Sequence, residues 1–556
     1  MPVKLLIVGG VAGGATAAAR ARRIEEHAEI ILFERGEHIS FANCGLPYYI
    51  GQVIKKRDSL LVTTAEDLQN RYNIDVRVFS EVTAIDPENK NVTVKNLQTG
   101  KSYVESYDKL ILAPGAEPIK PDMDGINLDT VFSVRNIPDT DRIKAYIDEK
   151  KPDAAVIVGG GYIGLEMAEN LVERGVKTTI LEMLNQVMAP LDYEMAALVQ
   201  GHIKRKGVVL QLQNSATAIS KNGARTIVST GKGHTLECDL VILSIGIRPE
   251  NSLARTAGLE IGDRGGIKVD ATMRTSDPDI YAVGDAVEIR DFVTGIPTMV
   301  ALAGPANKQG RIAADNALGR KSIYNGAQGT AIVKVFDMVA AATGASEKTL
   351  AENGIPCLVS YTHSDSHAAY YPGAKLLSIK LIFSPDDGKL LGAQIVGMDG
   401  VDKRIDVLAT AIRGNMTVFD LEELELAYAP PYSSAKDPVN MAGFVAANIL
   451  KGDMQSVNWN ELVDLAKNEH IMIDMRNKEE LDKFGRLEGA LHIPVNDLRG
   501  KLTALDKNKR YITVCAAGQR AYYGHRVLAQ TGFDSINLNG GFVTYANADK
   551  TLLKRP

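Results

Sequence analysis

At 556 residues, with 45% hydrophobic and 24% charged side chains, the chain has the composition of a soluble globular protein long enough for several domains. A net charge of −5 without any basic stripe argues against nucleic acid as a partner, and the lack of a run of about 18 apolar residues argues against a membrane span. The four cysteines (Cys44, Cys238, Cys357, Cys515) are scattered and lack metal-ligand spacing, so no metal site is expected and a reducing cytoplasm is the expected location.

The apolar start Val3–Val8 is too short for a signal peptide and runs straight into glycines, as a strand does. Leu5–Val8 reads as a strand buried on both faces, followed by Gly9-Gly10-Val11-Ala12-Gly13-Gly14 and an Ala-rich helix from Ala15. A strand, a glycine turn and a helix N-terminus make a pyrophosphate site, because backbone N–H groups and the helix dipole attract phosphate and glycine permits close approach. Gly9, Ala12 and Gly13 are the candidate contacts, with Val11 in place of the fingerprint's middle glycine. The strand Ile30–Glu34 ends in an acid about twenty residues past the turn, where a ribose hydroxyl needs an acceptor. Glu34 and its neighbour Arg35 complete this set.

Next comes Ser40-Phe41-Ala42-Asn43-Cys44-Gly45-Leu46-Pro47-Tyr48-Tyr49, with one cysteine and no second one nearby. Such a thiol cannot form an internal disulfide. A redox role for it would run through a mixed disulfide, a persulfide or a sulfenic acid, and these routes define the rival functions. A thiol pKa lowered by neighbouring dipoles is expected, since the thiolate is the nucleophile.

Ala155–Val158 leads into Gly159-Gly160-Gly161-Tyr162-Ile163-Gly164-Leu165-Glu166, a full dinucleotide fingerprint. Gly159, Gly161, Tyr162, Ile163, Gly164 and Glu166 are its candidate contacts. The strand Thr178–Glu182 ends in Glu182, which favours a free ribose hydroxyl and hence NADH, with NADPH as second candidate. Two such units in one chain point to a tightly held flavin, FAD, and an exchangeable nicotinamide.

After Lys451-Gly452-Asp453 a new α/β unit of about one hundred residues begins. Its strand Tyr511–Val514 runs into Cys515-Ala516-Ala517-Gly518-Gln519-Arg520. A cysteine at a strand end, in a loop curling into a helix, is ringed by N–H donors that stabilise a thiolate or persulfide. Arg520 is expected to fix this loop or receive an anionic substrate, and Asp474 and Arg476 to brace it. Cys238 and Cys357 lie in or beside apolar strand-like stretches and receive no role.

In this order the features resemble the two-dinucleotide flavoprotein disulfide reductases. Leu112-Ala113-Pro114-Gly115-Ala116 stands for their short turn after the first unit, with Ala113 and Gly115 as contacts. Ile245-Gly246-Ile247-Arg248-Pro249-Glu250 closes the nicotinamide insert and contributes Gly246. Thr275–Asp285 matches a second flavin motif, in which Asp285 would bond the ribityl chain of FAD. Relatives with a Cys-x4-Cys pair also carry a late proton-transferring histidine, and this chain has neither.

The segment around Cys44 and the valine-bearing glycine turn look like those of coenzyme A disulfide reductases. Peroxide- and oxygen-reducing relatives place a histidine where this chain has Ala12, which weighs against NADH peroxidase or oxidase chemistry. By the same resemblance Thr16, Arg20 and Arg23 line a coenzyme A path, although a solvated helix face is the competing reading for the arginines. Ser40, Asn43, Asn307 and Lys436 would lie near its thiol end, and Arg71 replaces a family lysine. Tyr370 and Tyr428, in Ser366–Gly373 and Tyr428–Asp437, would stand near the partner subunit's Cys44 and donate a proton there. That arrangement implies a homodimer with a shared active site. The C-terminal module resembles a single rhodanese domain, and Cys515 favours an active one.

The expected fold class is α/β: two Rossmann-like dinucleotide-binding domains plus an α+β dimerisation domain, followed by a C-terminal α/β rhodanese domain. FAD would bind 1–150 and 266–326, and NAD(P)H 151–265; 327–450 would form the dimerisation domain and 456–556 the rhodanese-like domain. The expected function is FAD-dependent, NAD(P)H-driven reduction of persulfide, polysulfide or coenzyme A disulfide bonds at Cys44, with Cys515 carrying sulfur. A peroxidase or oxidase cycling through sulfenic acid, and a redox-sensing interaction protein, are the alternatives.

Overall fold

The computed structural model describes residues 2–468 and 470–554. It divides into two compact units, residues 1–185 with 207–329, and residues 186–206 with 330–556. The five segments expected above are thus distributed over two bodies, the rhodanese-like and dimerisation segments sharing the second.

The first unit contains two parallel five-stranded sheets. In one, the strand order is Ile280–Ala282, Lys109–Leu112, Lys4–Val8, Glu29–Phe33, Asp75–Arg77. Leu5, Leu6, Ile7, Ile31, Leu32, Leu110 and Ile111 are all buried, as strands covered on both faces require. The helix Ala12–Ile24 follows the first strand and packs on helix Ala303–Ala317 through small residues, including Ala17, Ala18, Ala21, Ala313 and Ala314. The other sheet has the order Val209–Leu212, Lys177–Glu182, Ala154–Val158, Leu240–Leu243, Val131–Ser133. Both sheets place their glycine turns at the carboxyl end of a central strand, where ligands bind in open α/β sheets.

The second unit joins an antiparallel sheet to a parallel one. The antiparallel order is Ala331–Val335, Met338–Gly344, Leu390–Gly397, Leu376–Phe383, Leu358–Asp365, flanked by helices Val401–Arg413 and Pro438–Leu450. The parallel sheet runs Ser456–Val457, Asp534–Leu538, Arg510–Val514, Ile471–Asp474, Leu491–His492. Polar bonds tie the two together: Asn539 accepts from the Tyr361 N–H at 3.2 Å and donates to the Val359 carbonyl at 2.9 Å. His363 bridges Ser378 and Thr544, each at 2.8 Å. The helix Gly541–Ala548 packs on helix Tyr193–Arg205. No described helix is long and apolar enough to cross a membrane.

Candidate active site

A cleft of about 970 Å³ opens in the first unit beside the first glycine turn. It collects Gly9, Ala12, Gly13, Thr16, Glu34, Arg35, Ser40, Asn43, Cys44, Ala113, Gly115, Asp285 and Asn307, expected on separate grounds along three hundred residues of chain. The turn is built for close approach. A Cβ on Gly9 would lie 2.1 Å from the Ala113 carbonyl oxygen, and Gly9 has φ +96°. Glu34 accepts from the N–H groups of Gly10 at 2.9 Å and Gly36 at 2.8 Å, which aims its carboxylate at the turn. Arg35 pairs with Glu250 at 2.7 Å and Glu117 at 3.2 Å. Thr16 donates to Asn307 at 2.8 Å.

These residues fit a flavin dinucleotide. The glycine turn and helix N-terminus suit its pyrophosphate, Glu34 its adenosine ribose, and Asp285 the ribityl hydroxyls. Asp285 is half-buried, and no protein group donates to its carboxylate among the described residues; desolvation pushes its pKa up, as for an acceptor without a donor.

The second fingerprint repeats the geometry. Gly159 lies so close to Ser244 that a Cβ would sit 2.3 Å from its carbonyl oxygen, and Glu182 accepts from the Gly160 N–H at 2.7 Å. At Gly161, just before helix Tyr162–Glu173, a Cβ would meet no atom of the described residues within 4 Å, which leaves room for a phosphate. The two units share one plan, in which an acidic strand end holds the glycine turn.

Cys44 is exposed in a short 3-10 turn, Asn43–Gly45, leading into helix Leu46–Ile50. The loop is pinned to the glycine turn: Ser40 N–H donates to the Gly10 carbonyl at 2.9 Å, and Ser40 itself takes φ +46°. The expected lowering of the Cys44 pKa is corrected here. Desolvation and the carboxylates of Glu166 and Asp285 push the thiol up, outweighing a backbone hydrogen bond that lowers it. Glu166 itself is raised to about 7 by burial, and the Tyr48 hydroxyl donates to it at 3.3 Å. Tyr48 is not among the expected site residues; its only sequence signal is that it stands four residues after Cys44.

Other expected residues lie outside the cleft. Arg20 is held by Asp315 at 2.7 Å, Arg23 stacks over Tyr72 with its guanidinium carbon 6.0 Å from the ring centre, and Arg71 is exposed at the end of helix Ala65–Tyr72. Tyr370, Tyr428 and Lys436 belong to the second unit. There the hydroxyls of Tyr370 and Tyr428 meet at 2.9 Å, both rings remaining exposed, with Tyr371 and Tyr432 also exposed. Lys436 lies over the Phe444 ring.

Cys515 directly follows strand Arg510–Val514, is 1% exposed, and its Sγ accepts from the Gly518 N–H at 3.1 Å. Gly518 has φ +94°, which turns the loop into helix Gln519–Gln530. The Phe542 and Val543 N–H groups donate to the carbonyls of Cys515 and Ala516, fixing the loop from behind. Arg520 is gripped by Glu480 at 2.6 and 2.7 Å, a partner forty residues away that no local pattern announces. Arg476 is buried against Asp474 at 2.6 Å and over the Phe542 ring at 3.9 Å, consistent with bracing. Cys238 is fully buried, whereas Cys357 is only half-buried.

Among the described residues, Asp192, Glu194 and Glu347 bring three carboxylates within 4.8 Å of one another, a metal-like grouping. The buried Lys380 ammonium sits among them at 2.9, 2.5 and 2.6 Å. The positive charge in that pocket is a lysine.

Paired Rossmann units, an exposed thiol in the first cleft and an appended antiparallel sheet define a nicotinamide- and flavin-dependent oxidoreductase. Residues 3–310 match the pyridine nucleotide-disulphide oxidoreductase family, residues 330–438 its dimerisation domain, and residues 458–548 the rhodanese-like domain. A coenzyme A disulfide reductase of Staphylococcus haemolyticus is 36% identical over 80% of this chain and 100% of its own length. The reduced Bacillus anthracis CoADR-RHD structure superposes with a TM-score of 0.97 at 50% identity, covering 100% of this chain and 99% of that one. An NAD-dependent persulfide reductase from A. fulgidus gives a TM-score of 0.91 at 37% identity, covering 98% and 100%. The chain belongs to the pyridine nucleotide-disulphide oxidoreductases, and it carries a rhodanese-like domain at its C-terminal end. FAD and NAD(P)H are the cofactors of this family.

Proposed function

We propose that the protein reduces persulfide or polysulfide S–S bonds at Cys44 with electrons from NAD(P)H, coenzyme A persulfide or disulfide being the thiol-bearing substrate. The observation that carries this reading is a single exposed thiol on the wall of the cleft that fits the flavin, with the other three cysteines elsewhere. The similarity to coenzyme A disulfide reductases and to a persulfide reductase supports it. When bound, the flavin would supply a two-electron path from nicotinamide to sulfur.

The chain's own residues do the rest. The Cys44 thiolate attacks the substrate's S–S bond, forming a new bond to one sulfur and expelling the other as a thiolate. Two electrons then break the Cys44–sulfur bond and restore the Cys44 thiolate, and a proton accompanies release of sulfide or thiol. For a persulfide the balance is one NADH, one proton and one persulfide giving NAD+, one thiol and hydrogen sulfide. Tyr370 and Tyr428, from a second copy of the chain, are the proposed proton donors, their shared hydrogen bond leaving one hydroxyl proton free to give. Cys515 would carry sulfane sulfur as a persulfide, its Sγ stabilised by the loop N–H.

Anaerobic NADH turnover by the wild type, Cys44→Ser and Cys515→Ser tests the reading, with coenzyme A disulfide, coenzyme A persulfide, polysulfide and peroxide as substrates. The expected outcome is fastest turnover of persulfide or polysulfide, abolished in Cys44→Ser. Preferential turnover of peroxide would overturn it in favour of sulfenic-acid chemistry.

A further inference from the structure

A second, smaller cavity of about 280 Å³ lies in the first unit beside the redox cleft, with which it shares Arg135 and Asn136, and the proposed function makes no use of its other lining residues. Its walls come from the two-stranded ribbon Ala116–Pro118 with Ile247–Pro249, from the sheet strands Val131–Ser133 and Leu240–Leu243, and from the start of helix Ile137–Lys150. In the sheet order, Val131–Ser133 is the edge strand on the side of Ala154–Val158 away from Glu182. The nicotinamide dinucleotide's ribose acceptor therefore lies on the opposite flank.

The lining is cationic over an apolar floor. Lys120, Arg135, Arg142 and Arg248 face Ile126, Val131 and Leu243. Of the two acids present, Glu117 is already engaged by Arg35 at 3.2 Å and Arg135 at 2.9 Å. Desolvation raises the pKa of the other, Asp139, although Arg142, Lys120 and Arg135 pull it down. Among the described residues, Lys120 and Arg248 have no ion pair or side-chain hydrogen bond, and Arg142 only stacks over Phe132. Two neutral donors add to these charges. Ser133 is 8% exposed and its Oγ is buried with no hydrogen-bond partner among the described residues, an arrangement folded proteins rarely leave unexplained. Asn136 spends its Oδ1 on capping the helix through the Asp139 N–H at 2.9 Å, and its amide NH2 has no partner among the described residues. The helix dipole adds positive potential at this end.

We propose that this cavity binds the phosphate group of a small phosphorylated molecule, with Lys120 and Arg248 as its charged ligands and Ser133 and Asn136 as neutral donors. Cations without an ion pair beside hydroxyl and amide donors without a partner among the described residues match the needs of a phosphate dianion, which offers only acceptors. The apolar floor leaves room for a compact organic body, and the volume excludes a whole dinucleotide.

Isothermal titration of the FAD-loaded full-length protein, with NAD+ saturating the nicotinamide unit, tests this using inorganic phosphate and adenosine monophosphate as probes. The expected result is one saturable site for at least one probe, weakened at least tenfold in the double variant Lys120→Gln/Arg248→Gln, because each charge-assisted contact is worth about tenfold or more. FAD content and NADH turnover should stay at wild-type levels in that variant. Arg23→Gln, which removes a positive charge elsewhere in the same unit, should leave the site unchanged. Stronger binding of the nucleotide than of phosphate would assign the apolar floor to the ligand's body; phosphate binding alone would make the ligand inorganic. Absence of saturable binding by either probe up to about 10 mM, less than tenfold weakening in the double variant, or equal weakening in Arg23→Gln would overturn the proposal. Its failure would leave the sulfur chemistry at Cys44 untouched.

Discussion

Cys44 must lose its proton to act, yet its surroundings in a single chain hold the proton on. Desolvation is the main cause, and the Glu166 carboxylate is the next. Glu166, raised to about 7, gains its charge only near neutral pH, so its repulsion of a Cys44 thiolate grows through that range. Replacing Glu166 by Gln should move the alkylation profile of Cys44 by iodoacetamide to lower pH; an unmoved profile would mean that Glu166 is not felt at the sulfur. The same group bears on stability. A carboxyl raised in the folded state keeps its proton there while the unfolded chain has lost it, so stability falls as pH rises from the ordinary glutamate value to about 7. The thermal midpoint of Glu166→Gln should therefore gain on that of the wild type between about pH 5 and about pH 8.

At the scale of elements, the second unit contains a buried cluster of charges built from two helix starts and one strand. Asp192 precedes helix Tyr193–Arg205, and Glu194 lies in its first turn. Glu347 begins helix Glu347–Glu352, and Lys380 comes from the middle of strand Leu376–Phe383. Desolvation opposes the Lys380 charge, but Tyr361, Glu194, Asp192 and Glu347 outweigh it and hold the ammonium protonated. Lys380→Met would leave three carboxylates facing one another and should destabilise this unit by about 3–5 kcal/mol, read from urea unfolding. Calcium or manganese should then raise the thermal midpoint of Lys380→Met and not that of the wild type, since the vacated position offers oxygen ligands alone.

The bond between the antiparallel sheet and the rhodanese-like module has its own pH signature. Burial lowers His363 to about 4 between Ser378 and Thr544. The unfolded chain binds this proton near the ordinary histidine value and the folded one does not, so stability is complete above about pH 6.5 and declines as pH falls toward 4. His363→Gln should flatten that acid limb in thermal unfolding; an identical limb would assign it to other groups.

For the whole molecule, the proposed division of the active site between two copies makes a quantitative prediction. Cys44→Ser and the double variant Tyr370→Phe/Tyr428→Phe should each be inactive or strongly impaired. Dissociated and reassembled together, they should recover about one quarter of wild-type turnover, because half of the dimers are mixed and each mixed dimer rebuilds one intact site. No recovery would place the tyrosines and the thiol in the same copy. Cys515→Ser should spare coenzyme A disulfide turnover while lowering that with polysulfide, which separates sulfur carriage from reduction.

Sequence alone determined the elements whose function depends on local backbone geometry. The glycine turns at Gly9 and Gly159, the acidic strand ends Glu34 and Glu182, and the Cys515 loop each need particular residue types at fixed short spacing, so they can be read without knowing what packs against them. The solitary status of Cys44 was equally legible, since it rests on an absence within a short segment. Tertiary structure alone decided which charges are spent and which are free. Arg20 is tied to Asp315, Arg520 to Glu480 and Lys380 to three acids, whereas Lys120 and Arg248 have no such partner among the described residues. It also reversed the expected direction of the Cys44 pKa, through desolvation first and then through Glu166 and Asp285 brought in from far along the chain. The reason is physical: hydrogen-bonded turns are set by neighbours in sequence, but electrostatic pairing and desolvation depend on neighbours in space, which the pattern of one strand or helix does not encode.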